Sequence, residues 1–141
     1  MKNSEPPISA YQETLGMIYF ARMLDKIRKF SRGELRSDFQ QNLGKGFDAR
    51  CCGFLRIKYE ALRERTLKGG TDEDILRWCF ENGRALDTDD IFIWNEFLRK
   101  RGLKDQASEM LEQRKKESGL SGRSDIQTML DYFEADEGRK N

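Results

Sequence analysis

The sequence predicts an all-α fold, a single-domain compact bundle of five to six short helices with orthogonal packing. Apolar residues recur at the helical period in several segments, and no segment reads as a convincing β-strand. Pro6 and Pro7 are the only prolines, so no strong helix breaker follows them. Nine Phe, four Tyr and two Trp supply a core despite a charged fraction of 36%. We therefore expect one helical domain over residues 1–141, with residues 1–12 and 138–141 as flexible ends.

Three helices are predicted in the first half of the chain. The first covers Met17–Arg32, which carries one broad apolar face. Asp48 is the natural N-cap of the second, with Phe47 packed on Cys52 as a hydrophobic staple. The third runs from about Lys58 to Lys68 and ends at a pair of glycines. The residues predicted to face inward are Ile18, Tyr19, Met23, Ile27 and Phe30 in the first helix, and Leu62 and Thr66 in the third.

The second half of the chain shows clearer capping signals. Thr71 begins one helix and Asp87 begins the next. An amphipathic helix follows over Asp105–Ser118, with Gly119 and Leu120 as a Schellman end, and Ser124–Gln127 reads as a capping box for the last helix. The residues predicted to face inward are Ile75, Trp78 and Cys79, then Ala107, Met110, Leu111 and Arg114, and finally Ile126, Met129, Leu130 and Phe133.

The helix after Asp87 carries two apolar stripes, which together cover more than half of its circumference. Ile91, Trp94 and Leu98 form the first stripe, and Ile93 and Phe97 form the second. We predict that this helix lies at the centre of the bundle. A groove for a protein partner is the alternative.

Cysteine content and charge indicate the compartment and disfavour some partners. Three cysteines, an odd number, follow no basic and apolar leader, so we expect reduced thiols in the cytoplasm. No apolar run is long enough to span a membrane. Residues 1–70 carry 14 Lys and Arg against 8 Asp and Glu, whereas residues 71–141 carry 12 against 17. This balance disfavours a nucleic-acid partner and favours attraction between the two halves within one fold.

The most unusual local feature is a lysine between two glycines just before a predicted helix start. Gly44 and Gly46 allow backbone N–H groups to approach a ligand, while Lys45 and Arg50 supply positive charge. The free N–H groups of a helix start add to this attraction. The loop is therefore a candidate site for a small anion or an acidic peptide group.

A tight turn is the alternative interpretation of the same loop. Its glycines would adopt positive φ, and Lys45 would be solvated. Asp48 also argues against an anion, because its carboxylate would occupy the helix start. The spacing of Gly44 and Gly46 matches neither a P-loop nor a dinucleotide fingerprint, so nucleotide hydrolysis has no support.

The adjacent thiols of Cys51 and Cys52 suggest a second function. They fall at about N3 and N4 of the predicted helix, where its dipole and Arg50 would lower the pKa of an exposed thiol. Free cysteines are more often buried, and about 100° of helix separates the two, so at most one should face solvent. Cys79 is interpreted as a core residue.

Other chemistries are disfavoured by composition and spacing. The chain has no histidine, which removes histidine-based nucleophile pairs and metal sites, and its thiols lack zinc-site spacing. We therefore predict no metal and no cofactor. The acidic cluster of Asp125, Asp131, Glu134, Asp136 and Glu137 matches no EF-hand loop. Asp125 is interpreted as first-turn charge, and the rest as a solvated face or as partners for the basic first half. The basic run of Lys26, Arg28, Lys29 and Arg32 is interpreted as cations around a helix end.

A set of motifs is spread along the chain, none of them a known catalytic signature: Asn42 to Cys52, Trp78-Cys79-Phe80, Asn82-Gly83-Arg84, Trp94-Asn95, Lys100-Arg101-Gly102, Asp125 to Thr128, Asp131 and Asp136 to Arg139. As a set they resemble the uncharacterised bacterial family called domain of unknown function 5069, from about Glu13 to Arg139. The resemblance implies a small bacterial helical protein without an established activity. Where the family has Leu-Pro, this chain has Phe20-Ala21, and a proline there suits a first helical turn. The first helix is therefore expected to begin near Phe20 rather than Met17.

The sequence favours a non-catalytic cytosolic binding or interaction module with an anion-receptive loop. The alternative is a thiol-dependent enzyme or redox sensor. The residues predicted to carry these functions are Gly44, Lys45, Gly46, Asp48 and Arg50 for the anion, and Cys51 or Cys52 for the thiol. The expected partner is a small anion or an acidic peptide group, a protein partner is also allowed, and neither nucleic acid nor membrane is expected.

Overall fold

The computed structural model of the protein describes residues 5–140 and is helical, as predicted. The predicted flexible ends at 1–4 and 141 lie outside the described residues. The helices are α1 (Phe20–Ser31), a 3₁₀ helix (Ser37–Asn42), α2 (Phe47–Leu55), α3 (Tyr59–Leu67), α4 (Asp72–Asn82), α5 (Thr88–Lys100), α6 (Ser108–Glu117) and α7 (Met129–Asp136). Residues 5–140 thus contain more helices than the five to six predicted. The 3₁₀ helix is not among the predicted helices, and a left-handed residue, Arg56 with φ 57°, separates α2 from α3.

A short antiparallel hairpin, which was not predicted from the sequence, precedes α1. Strand β1 (Glu13–Thr14) pairs with β2 (Met17–Ile18) across a turn at Leu15 and Gly16. Both turn residues have positive φ, 50° and 84°, which is typical of a type I′ hairpin turn. Two-residue strands are too short to show an alternating pattern. The hairpin occupies the residues before Phe20, so α1 begins where the family resemblance implied.

The chain divides into two compact units, Met1–Ile91 and Phe92–Asn141. In the first unit, α1 packs against the hairpin, α3 and α4, while in the second α6 packs against α7. The prediction of a single domain stays a prediction. Fully buried apolar residues of the first unit include Met17, Phe20, Met23, Leu24, Leu55, Leu62, Ile75 and Leu76, and buried residues of the second include Leu98, Leu111, Ile126 and Leu130.

Residues 6–10, within the stretch predicted to be flexible, lie against α1. The Ile8 N–H donates to Asp25 Oδ2 at 2.9 Å, and Arg22 Nη1 donates to the Ile8 carbonyl at 3.2 Å. Ala10 is fully buried. Side chains of α1 therefore bind both the N–H and the carbonyl group of Ile8 and hold this segment against the helix.

Two helix caps show where local signals succeed and fail. Thr71 begins α4 as predicted and forms a capping box, since its Oγ1 accepts from the Asp74 N–H and Asp74 Oδ2 accepts from the Thr71 N–H, each at 3.1 Å. The predicted box at Ser124–Gln127 is wrong. Thr128 caps α7 instead, and its Oγ1 accepts from the Asp131 N–H at 3.1 Å. Extended backbone at Thr128, with φ −136°, gives its side chain this reach.

The position predicted for α5 at the centre of the bundle is wrong. Its first apolar stripe is buried through Trp94 and Leu98. Its second stripe is exposed, because Ile93 is 60% and Phe97 36% accessible, and the neighbouring Phe92 is 61% accessible. An apolar period identifies the face of a helix but does not say what covers it.

Helix α6 ends as predicted, but one residue that was predicted to face inward is exposed. The Leu120 N–H donates to the Lys115 carbonyl at 2.7 Å and the Gly119 N–H to the Lys116 carbonyl at 3.3 Å, which confirms the Schellman end. Met110, predicted to face inward, is 53% exposed. Every helix in residues 5–140 is too short or too polar to cross a bilayer.

Candidate functional site

The glycine-flanked lysine lies in a tight loop between the 3₁₀ helix and α2. Gly44 and Gly46 have φ of 76° and 59°, which L-residues with side chains rarely adopt. A Cβ at Gly44 would also lie 3.0 Å from the Tyr59 ring, so this position needs glycine for packing as well as for φ. Lys45 is exposed and forms no ion pair with any residue that the structure describes.

Asp48 does not cap α2, contrary to the prediction. The helix begins one residue earlier, at Phe47, and the N-cap position belongs to Gly46. Asp48 is fully buried instead. Its Oδ1 accepts from the Tyr19 hydroxyl at 2.6 Å and its Oδ2 accepts from the Gly44 N–H at 3.1 Å. The positive φ of Gly46 sets the direction in which the chain enters α2, which turns the Asp48 carboxylate inward.

Lys26 completes what we call the buried cluster, formed by Tyr19, Lys26 and Asp48. Lys26 Nζ lies 2.7 Å from Asp48 Oδ1 and donates to the Tyr19 hydroxyl at 3.1 Å. The interpretation of Lys26 as a helix-end cation is wrong, because the residue lies in the middle of α1 and is 5% exposed. Tyr19 immediately precedes α1, and Lys26 lies in the second turn of that helix. Helical spacing does not predict this pairing, because the backbone at Tyr19 is not helical.

Tyr19 is conformationally unusual within the buried cluster. It immediately precedes α1 with φ 75°, a backbone region that a bulky residue rarely occupies. Burial, and then the negative charge of Asp48, raise the pKa of its hydroxyl well above the ordinary value. The hydroxyl therefore stays protonated and donates to the carboxylate. The cluster is enclosed and hydrogen-bonded, so it can hold the loop in place but presents no reactive group to solvent.

All three thiols are buried and unreactive by the usual physical criteria. Cys51 and Cys52 are the fifth and sixth residues of α2, further from the helix start than predicted, because the helix begins at Phe47. Burial is the largest cause of the raised pKa of all three thiols, well above the ordinary value for Cys51 and to about 12 for Cys52 and Cys79. Cys52 Sγ lies 3.9 Å from Met23 Sδ, within the core. A thiolate at neutral pH is disfavoured at each position.

Exposed cations occur in the loop, in α2 and near the start of α3. Lys58 precedes Tyr59 and Arg63 follows it by one helical turn, and neither forms an ion pair with a described residue. Arg50 is exposed and lies one turn after Gly46. Residues 43–63 contain five Lys and Arg but two carboxylates, one of which is in the buried cluster. We call Lys45, Arg50, Lys58 and Arg63 the basic surface.

The acidic C-terminal residues are engaged with local partners. Arg123 binds Asp125 through two hydrogen bonds of 2.9 and 2.8 Å and holds the pKa of that carboxyl at about 2. Asp131 accepts from the backbone before α7, and Arg139 binds Glu134 at 3.0 Å. Within residues 5–140, no group of three or more thiols and carboxylates is arranged to hold a metal ion.

The structure is that of a small helical protein in which a buried ion pair underlies a glycine-flanked lysine. The chain belongs to the family described as Domain of unknown function (DUF5069), which matches residues 4–139. The resemblance drawn from the motifs is therefore confirmed. No curated protein matches the chain.

Proposed function

We propose that the protein is a non-catalytic binding module that receives a small anion or an acidic peptide group at the loop of Gly44, Lys45 and Gly46. The observation that carries the proposal is the exposed Lys45, held between two glycines of positive φ and without an ion pair among the described residues. A lysine held in this way keeps its charge available to a ligand, and the basic surface reinforces the local positive potential.

Backbone donors at the start of α2 support the same proposal. The N–H groups of Gly46 and Ala49 donate to no described residue, as is usual for the first turn of a helix. The Gly44 N–H is not available, because Asp48 accepts its hydrogen bond. The proposed ligand contacts are therefore the amides of Gly46 and Ala49 with the side chains of Lys45 and Arg50.

The repulsion expected from Asp48 is weaker than its sequence position suggests. Its carboxylate lies 2.7 Å from the Lys26 ammonium group and is fully buried, so much of its charge is compensated inside the protein. Under this proposal the thiols contribute packing and not chemistry. Their burial and raised pKa give the thiol alternative no support.

Phosphate-dependent thermal stability tests the proposal. Wild-type protein should gain Tm as phosphate rises at constant ionic strength, since a ligand that binds only the native state stabilises it by about 1.4 kcal/mol at ten times its Kd. Lys45→Ala should gain clearly less, and Gly46→Ala should also gain less because a side chain is strained at its φ of 59°. Lys68→Ala, an exposed lysine at the end of α3, is the matched control and should respond like wild type.

Two outcomes would contradict the proposal. Equal stabilisation of wild type and Lys45→Ala would place any phosphate site elsewhere on the protein. If phosphate does not stabilise the wild type, the loop is a tight turn with a solvated Lys45 and not an anion site. Backbone amide chemical shifts give a second readout, because phosphate should shift the Gly46 and Ala49 resonances first.

A further inference from the structure

We propose that the exposed face of α5 binds the same face of a second copy of this chain, with the two helices antiparallel. This inference is independent of the loop. Phe92 and Ile93 are 61% and 60% exposed, and Phe97 is exposed one turn further along the helix. Adjacent large apolar side chains with most of their surface in water favour burial against another protein surface.

The charges on α5 identify the occupant. Asp89 lies in the first turn, Lys100 ends the helix, and both are exposed. Asp89, Ile93, Phe97 and Lys100 are spaced by four, four and three residues, which places them within about 80° of one side of the helix. This face therefore has Asp89 at one end, Lys100 about 16 Å away at the other, and Ile93 and Phe97 between them. Glu96, which lies 3.4 Å from Lys100, borders the same side of the helix.

A two-fold antiparallel arrangement makes this face complementary to itself. It sets Asp89 opposite Lys100 of the second copy, and the symmetry repeats that pair at the other end. A parallel arrangement would instead oppose Asp89 to Asp89, which is repulsive. Asp89 forms no ion pair with a described residue, and Lys100 is 67% exposed with Glu96 at 3.4 Å, so both charges are accessible to a second copy.

The size of the face sets the expected affinity. Phe92, Ile93 and Phe97 together expose on the order of 300 Å² in each copy, given the side-chain areas of such residues. Interfaces well below about 1,200 Å² in total are weak and transient. We therefore expect a reversible dimer that forms in the upper micromolar range.

Sedimentation equilibrium from about 10 μM to 1 mM tests the proposal at low and high salt. The average mass of wild type should rise from 16.6 kDa towards twice that value. Ile93→Glu should remain monomeric, because it places a charge in the centre of the apolar face. Met110→Glu is the matched control, since Met110 is 53% exposed on a different helix, and it should associate like wild type.

A charge exchange tests the antiparallel register. Asp89→Lys and Lys100→Asp should each weaken association about tenfold, because two symmetric attractions become repulsions. An equimolar mixture of the two variants should recover wild-type association, since every end pair is again of opposite charge. Circular dichroism of each variant checks that α5 remains folded.

Three results would overturn the proposal. If the wild type stays monomeric at 1 mM, this face does not bind a second copy, and its partner is another protein or none. Association that survives Ile93→Glu, or that Met110→Glu also abolishes, would place the interface elsewhere. A mixture that associates no better than its components would exclude the antiparallel pairing.

Discussion

Replacement of Lys26 with Met should destabilise the protein by about 3–5 kcal/mol. The Lys26 ammonium group lies 2.7 Å from the Asp48 carboxylate, and their side chains are 6% and 0% exposed. Methionine retains most of the apolar stem and removes the charge, so the loss is mainly electrostatic. Asp48 would keep only the neutral Tyr19 hydroxyl and Gly44 N–H as donors. A carboxylate buried without its counter-ion costs several kcal/mol, a large part of the stability of a typical domain.

The assay is urea unfolding at pH 7, followed by circular dichroism. The double variant Lys26→Met/Asp48→Leu removes both charges and should recover more than half of the loss, because apolar residues of similar volume replace a buried ion pair well. The double-mutant cycle then gives the coupling between the two positions. Lys68→Met is the control, since this exposed lysine should change stability by less than about 1 kcal/mol.

Two results would refute the reasoning. A loss below about 1 kcal/mol in Lys26→Met, with an unchanged m value, would mean that water or another cation compensates Asp48. If Lys26→Met fails to fold, the double variant decides: a double variant that also fails to fold would show that packing, and not charge compensation, is what Lys26 supplies.

The remaining predictions concern the thiols and two glycines. The folded pKa of Cys52 is about 12 against an ordinary 9.0, so its stabilising contribution is intact below pH 9 and is lost as pH rises towards 12. The free energy of unfolding, measured with urea, should therefore fall less steeply with pH in Cys52→Ala than in wild type, by up to about 1.4 kcal/mol per pH unit. An unchanged slope of this free energy against pH would contradict the prediction. A thiol reagent should label native protein far more slowly than unfolded protein, and rapid native labelling would restore the thiol alternative. Gly83→Ala should lower the free energy of unfolding by about 1–3 kcal/mol, because a Cβ there would overlap the Leu55 carbonyl oxygen. Gly53→Ala should raise it by about 0.5–1 kcal/mol, because a Cβ there meets open space. Melting temperatures that shift in the same direction would contradict this contrast.

Local signals predicted the helices and some of their ends. Thr71 begins α4 as predicted, because both hydrogen bonds of its capping box form within four residues. At the last helix the predicted box at Ser124–Gln127 fits the local pattern, but Thr128 caps the helix. A contact from outside this segment opposes the predicted box, because Lys115 Nζ donates to the Arg123 and Ile126 carbonyls at 2.8 and 3.2 Å.

The loop was predictable from sequence, whereas the cluster beneath it was not. Glycines on both sides of Lys45 indicate positive φ, which is a property of the local backbone. The pairing of Lys26 with Asp48 depends on how α1 packs near the start of α2, and charged residues are rarely buried unless they are paired. Exposure on α5 is likewise a tertiary property, since the same apolar period fits a core and an interface.

Asp48 connects the stability of the core to the geometry of the loop. One carboxylate oxygen binds the Gly44 N–H of the loop, and the other binds Tyr19 and Lys26 in the core. The backbone that carries Lys45 is therefore fixed by the same group that closes the buried ion pair. A lysine on a fixed backbone loses less conformational freedom when it binds a ligand than one on a mobile loop, so more of each contact appears as affinity. A buried charge that brings little net stability can in this way serve the preorganisation of a surface loop.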